Sequence, residues 1–257
     1  MEKNFKIRMK KIDTYIFVHD QEIIIDFLSK KRFSDFNSFK YVFLSNRPTD
    51  KIVGLDNLII CKDLEHNIES YPKFTSFTGW YALVKNNLIE SEYVNFFEYD
   101  INYIEKFPII NKDLIDENFD FIGYFPMFVS DPVYVKQRQY SQTLVDSLRK
   151  KNNLDIYEMI SEIEKKNSFS VWSSSSNSTW NSKILTNYVN WFSDFINDLK
   201  YDNFCGHIHE RSISFYYFIN NLNVKNTTNL MTHYQLNTHG TSPLPKNRFQ
   251  DLYPNLK

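Results

Sequence analysis

The sequence contains few cysteines and no long apolar run, and both features limit the cellular compartments in which the protein can function. Its two cysteines, Cys61 and Cys205, cannot form a disulfide framework, which indicates a reducing compartment. No segment approaches the roughly 20 consecutive apolar residues that a membrane-spanning helix requires. The first residues lack the apolar stretch of a secretion signal, so we expect a soluble, cytoplasmic protein.

An excess of charge of one sign is also missing. The chain has 30 basic and 31 acidic residues among 257, which gives a formal net charge of −1. This balance argues against a general nucleic-acid coat and against a polybasic protein of the membrane surface. We therefore expect no nucleic-acid partner and no membrane span. Aromatic residues are abundant instead, with 23 Phe and 17 Tyr, and most of these rings are expected in the core.

The first half of the chain alternates strand patterns with helix patterns. Short apolar runs rich in β-forming residues predict strands at 15–19, 40–45, 57–61 and 92–97. Apolar residues at helical spacing predict helices at 21–31 and 75–88. Strands separated by helices imply parallel β-α-β units with right-handed crossovers. The predicted fold is therefore α/β, with a mostly parallel twisted sheet flanked by helices.

The second half is less regular. Apolar patterns predict a strand at 119–125 and helices at 180–199 and 210–222. The sequence shows no internal repeat and no change in composition, and the serine run at 173–176 is too short to serve as a flexible linker. We predict a single domain that covers residues 1–257.

Polar residues follow three of the predicted strands, where an open parallel sheet binds its ligands. His19 with Asp20 follows the first strand, Asn46 with Arg47 the second, and the acid-x-acid segment 98–100 the fourth. The two acids of that segment share one side of an extended backbone and repel each other unless a cation joins them. Mg²⁺ or Mn²⁺ suits such oxygen ligands. A solvated acidic turn at the end of the strand is the alternative interpretation.

Three segments carry a resemblance to a known family. Residues 75–86, TSFTGWYALVKN, and 92–100, EYVNFFEYD, are similar to the helix-then-strand segment of GT-A-type glycosyltransferases, especially the poorly characterised capsular-polysaccharide-type transferases. Residues 205–217 resemble the family's small-residue and Glu-Arg motif that opens a late helix, and 238–240 place a histidine just before a glycine. The three similarities occur in the family's order.

The resemblance implies a GT-A-like, Rossmann-like fold and an enzyme that transfers a sugar from a nucleotide-diphosphate sugar to a hydroxyl acceptor, either a glycan or a glycoprotein. It implies a nucleotide-binding half at about 1–105 and an acceptor-side half at about 106–257. The implied cofactor is Mn²⁺ or Mg²⁺, with Asp100, Glu98 and His239 as its ligands. Glu98 departs from the family's common Asp-x-Asp pattern, and its side chain reaches one carbon further.

Roles for individual residues follow from the resemblance and from the strand-end rule. The catalytic residues would be Asp100, which binds the diphosphate as well as the cation, and Glu210, which takes the proton of the acceptor hydroxyl. Donor binding is predicted for His19, Asp20, Asn46, Thr78, Lys85, Glu98, Tyr99 and Trp172. Trp172 frames a serine-rich loop, and hydroxyl groups beside an aromatic face suit a sugar.

Three alternatives stay open. Glu210, at the predicted start of its helix, would be stabilised there as a capping acid whatever its chemical role. His207 and His209 would share one face of an extended segment and could join Asp100 in a metal-dependent hydrolase or phosphotransferase. The glutamate at position 98 also fits a non-catalytic carbohydrate- or protein-binding module that kept the fold and lost the chemistry.

Overall fold

The computed structural model describes residues 10–128, 142–156, 158, 161, 171–173 and 176–233, and at 126–128, 171–173 and 233 it describes the backbone alone. The strands are β1 (Ile12–Val18), β2 (Phe39–Phe43), β3 (Leu58–Ile60), β4 (Tyr93–Glu98), β5 (Ile101–Tyr103), β6 (Phe121–Gly123), β7 (Pro126–Phe128), β8 (Val171–Ser173), β9 (Ser178–Asn181), β10 (Val224–Asn226) and β11 (Met231–His233). The helices are α1 (Gln21–Ser29), α2 (Ser76–Lys85), α3 (Phe107–Asp116), α4 (Gln142–Asn152), α5 (Ser182–Ser193), α6 (Ile196–Leu199) and α7 (Cys205–Asn220). Within these described ranges, no helix is both long enough and apolar enough to cross a membrane.

Seven strands form a central sheet in the order β3-β2-β1-β4-β9-β6-β10. Neighbours in the run from β3 to β4 are parallel, β6 and β10 are also parallel, and β9 lies antiparallel between β4 and β6. This arrangement confirms the predicted mostly parallel sheet. Two antiparallel pairs, β5 with β11 and β7 with β8, lie outside the central sheet.

Both faces of the central sheet are covered by helices. Successive residues of a strand point to opposite faces, so Tyr15 and Phe17 of β1 pack in one apolar cluster while Ile16 and Val18 pack in another. The first cluster contains residues of α2, α4, α5 and α7, and the second contains residues of α1 and α3. A sheet buried on both faces explains why its parallel strands read as continuous apolar runs.

The predicted helix at 180–199 is wrong at its start, because Trp180 belongs to strand β9. There Trp180 lies between β4 and β6, with its ring fully buried. Helix α5 begins directly after Asn181, whose side chain accepts hydrogen bonds from backbone N–H groups of the first helical turn. Pairing with two neighbouring strands therefore overrides the helical spacing of the apolar residues.

A buried network of hydrogen bonds holds β9 in register. Asn95 of β4 donates to Oγ1 of Thr14 at 3.1 Å, and Thr179 of β9 donates to Oδ1 of Asn95 at 2.6 Å. Asn111 of α3 donates to the same Asn95 oxygen at 2.8 Å, and the Tyr124 hydroxyl donates to Oδ1 of Asn111 at 2.8 Å. The antiparallel strand thus enters the sheet beside polar groups that satisfy one another.

Gly79 lets α2 approach the sheet closely. A Cβ at this position would lie 2.6 Å from Cε1 of Phe17 and 2.9 Å from Cδ2 of Leu44. We expect Gly79→Ala to lower the free energy of unfolding by about 1–3 kcal/mol, because forced repacking outweighs the roughly 1 kcal/mol gained in helix propensity. Urea denaturation followed by circular dichroism measures the change. An unchanged or higher stability would show that α2 can move away from β1 without cost.

Candidate functional site

The carboxyl ends of β1, β2 and β4 lie side by side at one edge of the sheet. Backbone pairing continues past the strand ends, because the N–H of Tyr99 donates to the carbonyl of Phe17 at 3.1 Å and that of Leu44 to Val18 at 2.8 Å. A cavity of about 940 Å³ opens beyond these ends. This is the position at which open α/β sheets bind their ligands.

The cavity brings together many of the residues predicted for donor binding, metal binding or catalysis. They are His19, Asn46, Thr78, Glu98, Tyr99, Asp100 and Glu210. Arg47 and Lys73 add positive charge to the lining, and Glu69 adds a further carboxyl group. The lining therefore offers partners to a ligand that carries both anionic groups and hydroxyls.

Glu98 is held through both its backbone and its side chain. Its N–H donates to Oδ1 of Asn177 at 2.7 Å. Its carboxyl group bonds the hydroxyls of Ser76 and Ser176, and these two hydroxyls are 2.9 Å apart. Ser76 belongs to α2, and Ser176 and Asn177 belong to the segment before β9. The position of Glu98 at the end of β4 therefore depends on two other parts of the chain.

The electrostatic surroundings of Glu98 suit a divalent cation. Burial raises the pKa of Glu98 to about 8, with the nearby carboxylates of Asp100 and Glu210 acting in the same direction. A cation between Glu98 and Asp100 would offset this repulsion, and carboxylate oxygens are ligands that Mg²⁺ and Mn²⁺ accept. In the described part of the chain, no three His, Cys, Asp or Glu side chains form a group that could hold a metal. A cation held by Glu98 and Asp100 would need further ligands, which water, substrate oxygens or the predicted ligand His239 could supply.

Polar contacts join the ends of β1 and β2. The hydroxyl of Ser45 donates to the carbonyl oxygen of His19 at 3.1 Å, and Nη1 of Arg47 donates to Oδ2 of Asp20 at 2.6 Å. Asp20 is also the N-cap of α1, where Oδ1 accepts the N–H of Glu22 at 3.0 Å. Asp20 is therefore placed beside the cavity lining, where it orients Arg47, rather than within it.

Of the three remaining predicted residues, Lys85 lies away from the cavity, and the structure does not describe the side chains of the other two. Lys85 is the last residue of α2, whereas the first turn of that helix lines the cavity, and its ammonium group donates to Asn190 of α5 at 2.8 Å. Trp172 lies on β8, where the structure describes the backbone alone. His239 falls outside the described residues. The roles of Trp172 and His239 stay predictions.

Helix α7 supplies Glu210, and the structure corrects where this helix begins. It begins at Cys205, so Glu210 lies in the second turn and does not cap the helix. Oε2 of Glu210 lies 3.6 Å from Nδ1 of His207 and 3.4 Å from Nη2 of Arg211. Arg211 is only 4% exposed, so its charge acts on the Glu210 carboxylate with little screening by solvent.

The side chains of His207 and His209 lie on different sides of α7. Residues two apart do not face the same side of a helix, so His207 lines the cavity while His209 is fully buried. Aromatic rings, including those of Phe77 and Trp80, surround His209. Burial lowers the pKa of His209 to about 3, so the ring is neutral. The predicted grouping of both histidines with Asp100, on which the hydrolase alternative depended, is not formed.

Sequence reasoning missed how the first turns of α2 and α7 meet at the cavity. Thr75 adopts φ 51° and ψ −126°, an unusual conformation for a β-branched residue. It contacts Gly206 of α7, where a Cβ would lie 2.8 Å from Oγ1 of Thr75. Ser76 lies in the predicted helix at 75–88, and Asn177 lies in the serine-rich loop that begins after Trp172. Their contact with Glu98 could not be read from spacing, because it joins distant parts of the chain.

Glu69 is a further acid that no sequence pattern selects. Its side chain lines the cavity and is 7% exposed, and no residue in the described ranges forms a hydrogen bond with Oε1. Burial raises the pKa of Glu69 to about 7, and the charge of Lys62 acts in the opposite direction. Glu69 lies in the loop between β3 and α2, where neither a strand end nor a periodic pattern distinguishes one residue from the next.

Comparison with known proteins identifies the fold. No protein-family model matches the chain, and no curated protein matches its sequence. Among solved structures, the chain is similar to the apo structure of the bifunctional glycosyltransferase WbbM, with a TM-score of 0.63 and 14% sequence identity. The match covers 88% of this chain and 46% of the WbbM chain, so this chain spans less than half the length of that protein. The fold is thus one that a glycosyltransferase also has, and at this identity the likeness concerns the fold alone.

Proposed function

We propose that this protein is a glycosyltransferase that transfers a sugar from a nucleotide-diphosphate sugar to a hydroxyl acceptor. The observation that carries the proposal is the convergence of His19, Asn46, Glu98 and Asp100 with Glu210 around one cavity. The likeness of the fold to a glycosyltransferase supports it, because the cavity lies at the sheet edge where open α/β folds bind ligands.

The nucleotide diphosphate would occupy the strand-end side of the cavity. Arg47 lines this side and offers a cation. Thr75, Ser76 and Thr78, at the N-terminus of α2, also line the cavity, and the dipole of a helix favours an anion at that end. His19, whose ring meets that of Tyr99 edge to face at 4.8 Å, would lie beside the nucleoside.

We further propose that Glu98 and Asp100 hold Mn²⁺ or Mg²⁺ together with the diphosphate. Bound there, the cation would neutralise the charge that develops on the leaving diphosphate. The contribution of the protein is to fix the first of these acids. Asn177 binds the backbone N–H of Glu98, and Ser76 and Ser176 bind its carboxyl group.

Glu210 would act as the general base. The acceptor oxygen forms a bond to the anomeric carbon of the sugar while the bond from that carbon to the diphosphate oxygen breaks, and the hydroxyl proton passes to the Glu210 carboxylate. His207 and Arg211, at 3.6 and 3.4 Å, would hold the carboxylate in place. The products are the glycosylated acceptor, the nucleoside diphosphate and a proton that leaves to solvent.

Titration calorimetry with UDP and GDP, with and without Mn²⁺, tests the donor site. We expect the wild-type protein to bind at least one of the two nucleotides, and to need Mn²⁺ to do so. Asp100→Ala should weaken that binding about tenfold or more, because one of the two carboxylates that hold the cation is lost.

The matched control is Asp116→Ala. Asp116 is an exposed acid at the end of α3, outside the cavity lining, so this variant should bind nucleotide like the wild type. Binding without any need for Mn²⁺ would contradict the role given to the two acids. Failure of the wild type to bind either nucleotide in either condition would count against the donor site itself.

A further inference from the structure

One buried acid of the cavity lining has no part in the proposed transfer. Glu69 is 7% exposed, and no residue of the described chain forms a hydrogen bond with Oε1 of its carboxyl group. Burying a carboxyl group without a partner costs free energy of folding. An unpartnered acid that is kept beside a cavity therefore indicates a ligand that supplies the partner.

The loop that carries Glu69 is held in place on both sides of this residue. On one side, the N–H of His66 donates to Oδ1 of Asn86 at 3.1 Å, and Nδ2 of Asn86 donates to the carbonyl oxygen of His66 at 2.7 Å. Asn86 directly follows α2, so these two bonds join the loop to the end of that helix. On the other side, the N–H of Tyr71 donates to the carbonyl oxygen of Ile68 at 2.8 Å. A group on a fixed backbone binds a ligand with little loss of conformational entropy.

The order of the strands separates Glu69 from Glu98. Burial, and then the charge of Glu69, raise the pKa of the Cys61 thiol, which places Glu69 near the residue that directly follows β3. Glu98 ends β4, and β2 and β1 lie between β3 and β4 in the sheet. Neighbouring strands are about 4.8 Å apart, so the ends of β3 and β4 are roughly 14 Å apart. The two acids therefore serve different parts of a ligand.

The reacting bond of the donor would lie at the β4 end of the cavity. Burial, and then the charges of Asp100 and Glu210, raise the pKa of Glu98, so the proposed base is close to the two proposed metal ligands. The transferred sugar is attached directly to the diphosphate, and its single ring stays at this end. The nucleoside is attached to the other phosphate and extends past the ends of β1 and β2, and its base is the part that reaches β3.

The surroundings of Glu69 suit a flat heterocycle. Leu44, which directly follows β2, and Pro72, three residues after Glu69, also line the cavity and offer apolar surface to the faces of a ring. Enzymes that bind a single base read the edge that it uses for Watson–Crick pairing. On that edge uracil and guanine carry a ring N–H, whereas the ring nitrogen of cytosine and of adenine is an acceptor. An ionised carboxylate only accepts hydrogen bonds, so it favours uracil and guanine.

We propose that Glu69 recognises the base of the donor nucleotide by accepting the ring N–H of uracil or guanine, so that the donor is a uridine or guanosine sugar nucleotide. The inference rests on the proposed donor site and names the class of nucleotide for it. No bond forms or breaks at Glu69, and its carboxylate contributes to affinity and selectivity alone. A cytosine or adenine base would set its own ring acceptor against the buried carboxylate, and a site built to bond an N–H rejects an analogue that lacks it.

Titration calorimetry with UDP, GDP, CDP and ADP in the presence of Mn²⁺ tests this role. Burial raises the pKa of Glu69 to about 7, so the titrations are made at pH 8, where the carboxyl group is mostly ionised. We expect UDP or GDP to bind at least tenfold more tightly than both CDP and ADP. Glu69→Leu should weaken binding of the preferred nucleotide about ten- to hundredfold, because a hydrogen bond to a charged group is lost. Glu69→Gln keeps an oxygen that accepts an N–H and should stay within about fivefold of the wild type.

A methyl group on the ring nitrogen of the base gives a second measure of the same contact. The N3-methyl derivative of UDP, or the N1-methyl derivative of GDP, should bind the wild type about tenfold or more weakly than its parent nucleotide. In Glu69→Leu the methyl group should have little effect, because the hydrogen bond that it blocks is already absent. Glu69→Leu should also resist urea at least as well as the wild type, since no residue of the described chain loses a bond to Oε1.

The matched control is Glu65→Leu. Glu65 belongs to the same loop, its side chain is 85% exposed and it stands outside the cavity lining, so this variant should bind nucleotide like the wild type. Tighter binding of CDP or ADP, an unchanged affinity in Glu69→Leu, or an equal effect of the methyl group in both proteins would overturn the role of Glu69 and leave the donor site standing. So would a loss of affinity in Glu69→Leu that came with lower resistance to urea. Failure of the wild type to bind any of the four nucleotides would remove the donor site and this inference together.

Discussion

Replacing Glu210 by glutamine is expected to lower the turnover number for sugar transfer by roughly 10²–10⁴-fold, with nucleotide affinity unchanged within about twofold. Glutamine has nearly the same shape as glutamate but cannot accept the acceptor proton. The carboxylate is 24% exposed, lies in the cavity lining and is approached by His207 and Arg211. The measurement is the release of nucleoside diphosphate with the sugar nucleotide and the saccharide that the wild-type protein uses, together with calorimetric titration of the nucleotide.

Two further variants separate a base from a structural residue. Glu210→Asp keeps a carboxylate one carbon shorter and should recover part of the lost rate. His207→Gln can still donate a hydrogen bond to Glu210, so its turnover should stay within about tenfold of the wild type. A Glu210→Gln variant that kept a third or more of the wild-type rate would contradict the role of base. Equal loss of turnover and of nucleotide affinity would indicate a damaged cavity instead.

The sequence was sufficient to predict the parallel core of the fold. β1, β2 and β4 are buried on both faces along most of their length and β3 is half-buried, so their apolar runs are continuous and easily recognised. β9 was missed because its partners, β4 and β6, lie far away in the chain, and pairing with them decides the conformation of Trp180. The spacing of apolar residues predicts the conformation that a segment prefers in isolation. The antiparallel strand β9 is instead fixed by its pairing with distant strands, which this local pattern cannot reveal.

The candidate site divides in the same way. His19, Asn46 and the segment 98–100 could be predicted, because the topology of a parallel sheet alone places strand ends together. Helix α7 was predicted five residues too late, and this error put His207 and His209 on one face and Glu210 at a helix end. The first turn of α7 has little amphipathic character to mark it, since both Cys205 and Gly206 are small.

The setting of Glu98 was beyond prediction for another reason. Ser76, Ser176 and Asn177 reach it from two parts of the chain, and hydroxyl and amide side chains of this kind are common in loops. Their role appears only when the close approach of α2 to α7 is known, and that approach depends on Thr75 and Gly206. A pattern of residue types cannot reveal which of many serines faces the acid.

His209→Leu is expected to stabilise the protein, and more so at low pH. No residue in the described ranges bonds either ring nitrogen of this fully buried histidine, and a buried unsatisfied polar group costs about 1–3 kcal/mol. Leucine has a similar volume and no polar atom. Some ring contact with Phe77 and Trp80 is lost, which is worth about 1 kcal/mol. At pH 8 the expected gain in the free energy of unfolding is therefore about 1–2 kcal/mol.

The additional gain in acid follows from the pKa of His209, which burial lowers from 6.5 to about 3. Between pH 6.5 and pH 3, His209 binds a proton in the unfolded chain but stays neutral in the native state. The wild-type protein is therefore most stable, with respect to this group, above pH 6.5, and it loses stability as the pH falls toward 3. At pH 5 the loss in the wild type is about 2 kcal/mol. The leucine side chain of the variant has no proton to bind, so the variant should exceed the wild type by about 3–4 kcal/mol at that pH.

Urea denaturation of both proteins at pH 5 and pH 8 measures these differences. The raised pKa values of Glu69 and Glu98 change stability in the opposite sense, since the native state then binds more protons than the unfolded chain. They act equally in variant and wild type, so they cancel in the difference. His66→Leu, at a histidine whose side chain is 52% exposed, is the control and should change stability little at either pH. A gain for His209→Leu that is the same at both pH values would show that the native state can protonate His209. A loss at both would show that its ring nitrogens are satisfied and that the histidine contributes to the packing beneath Glu210.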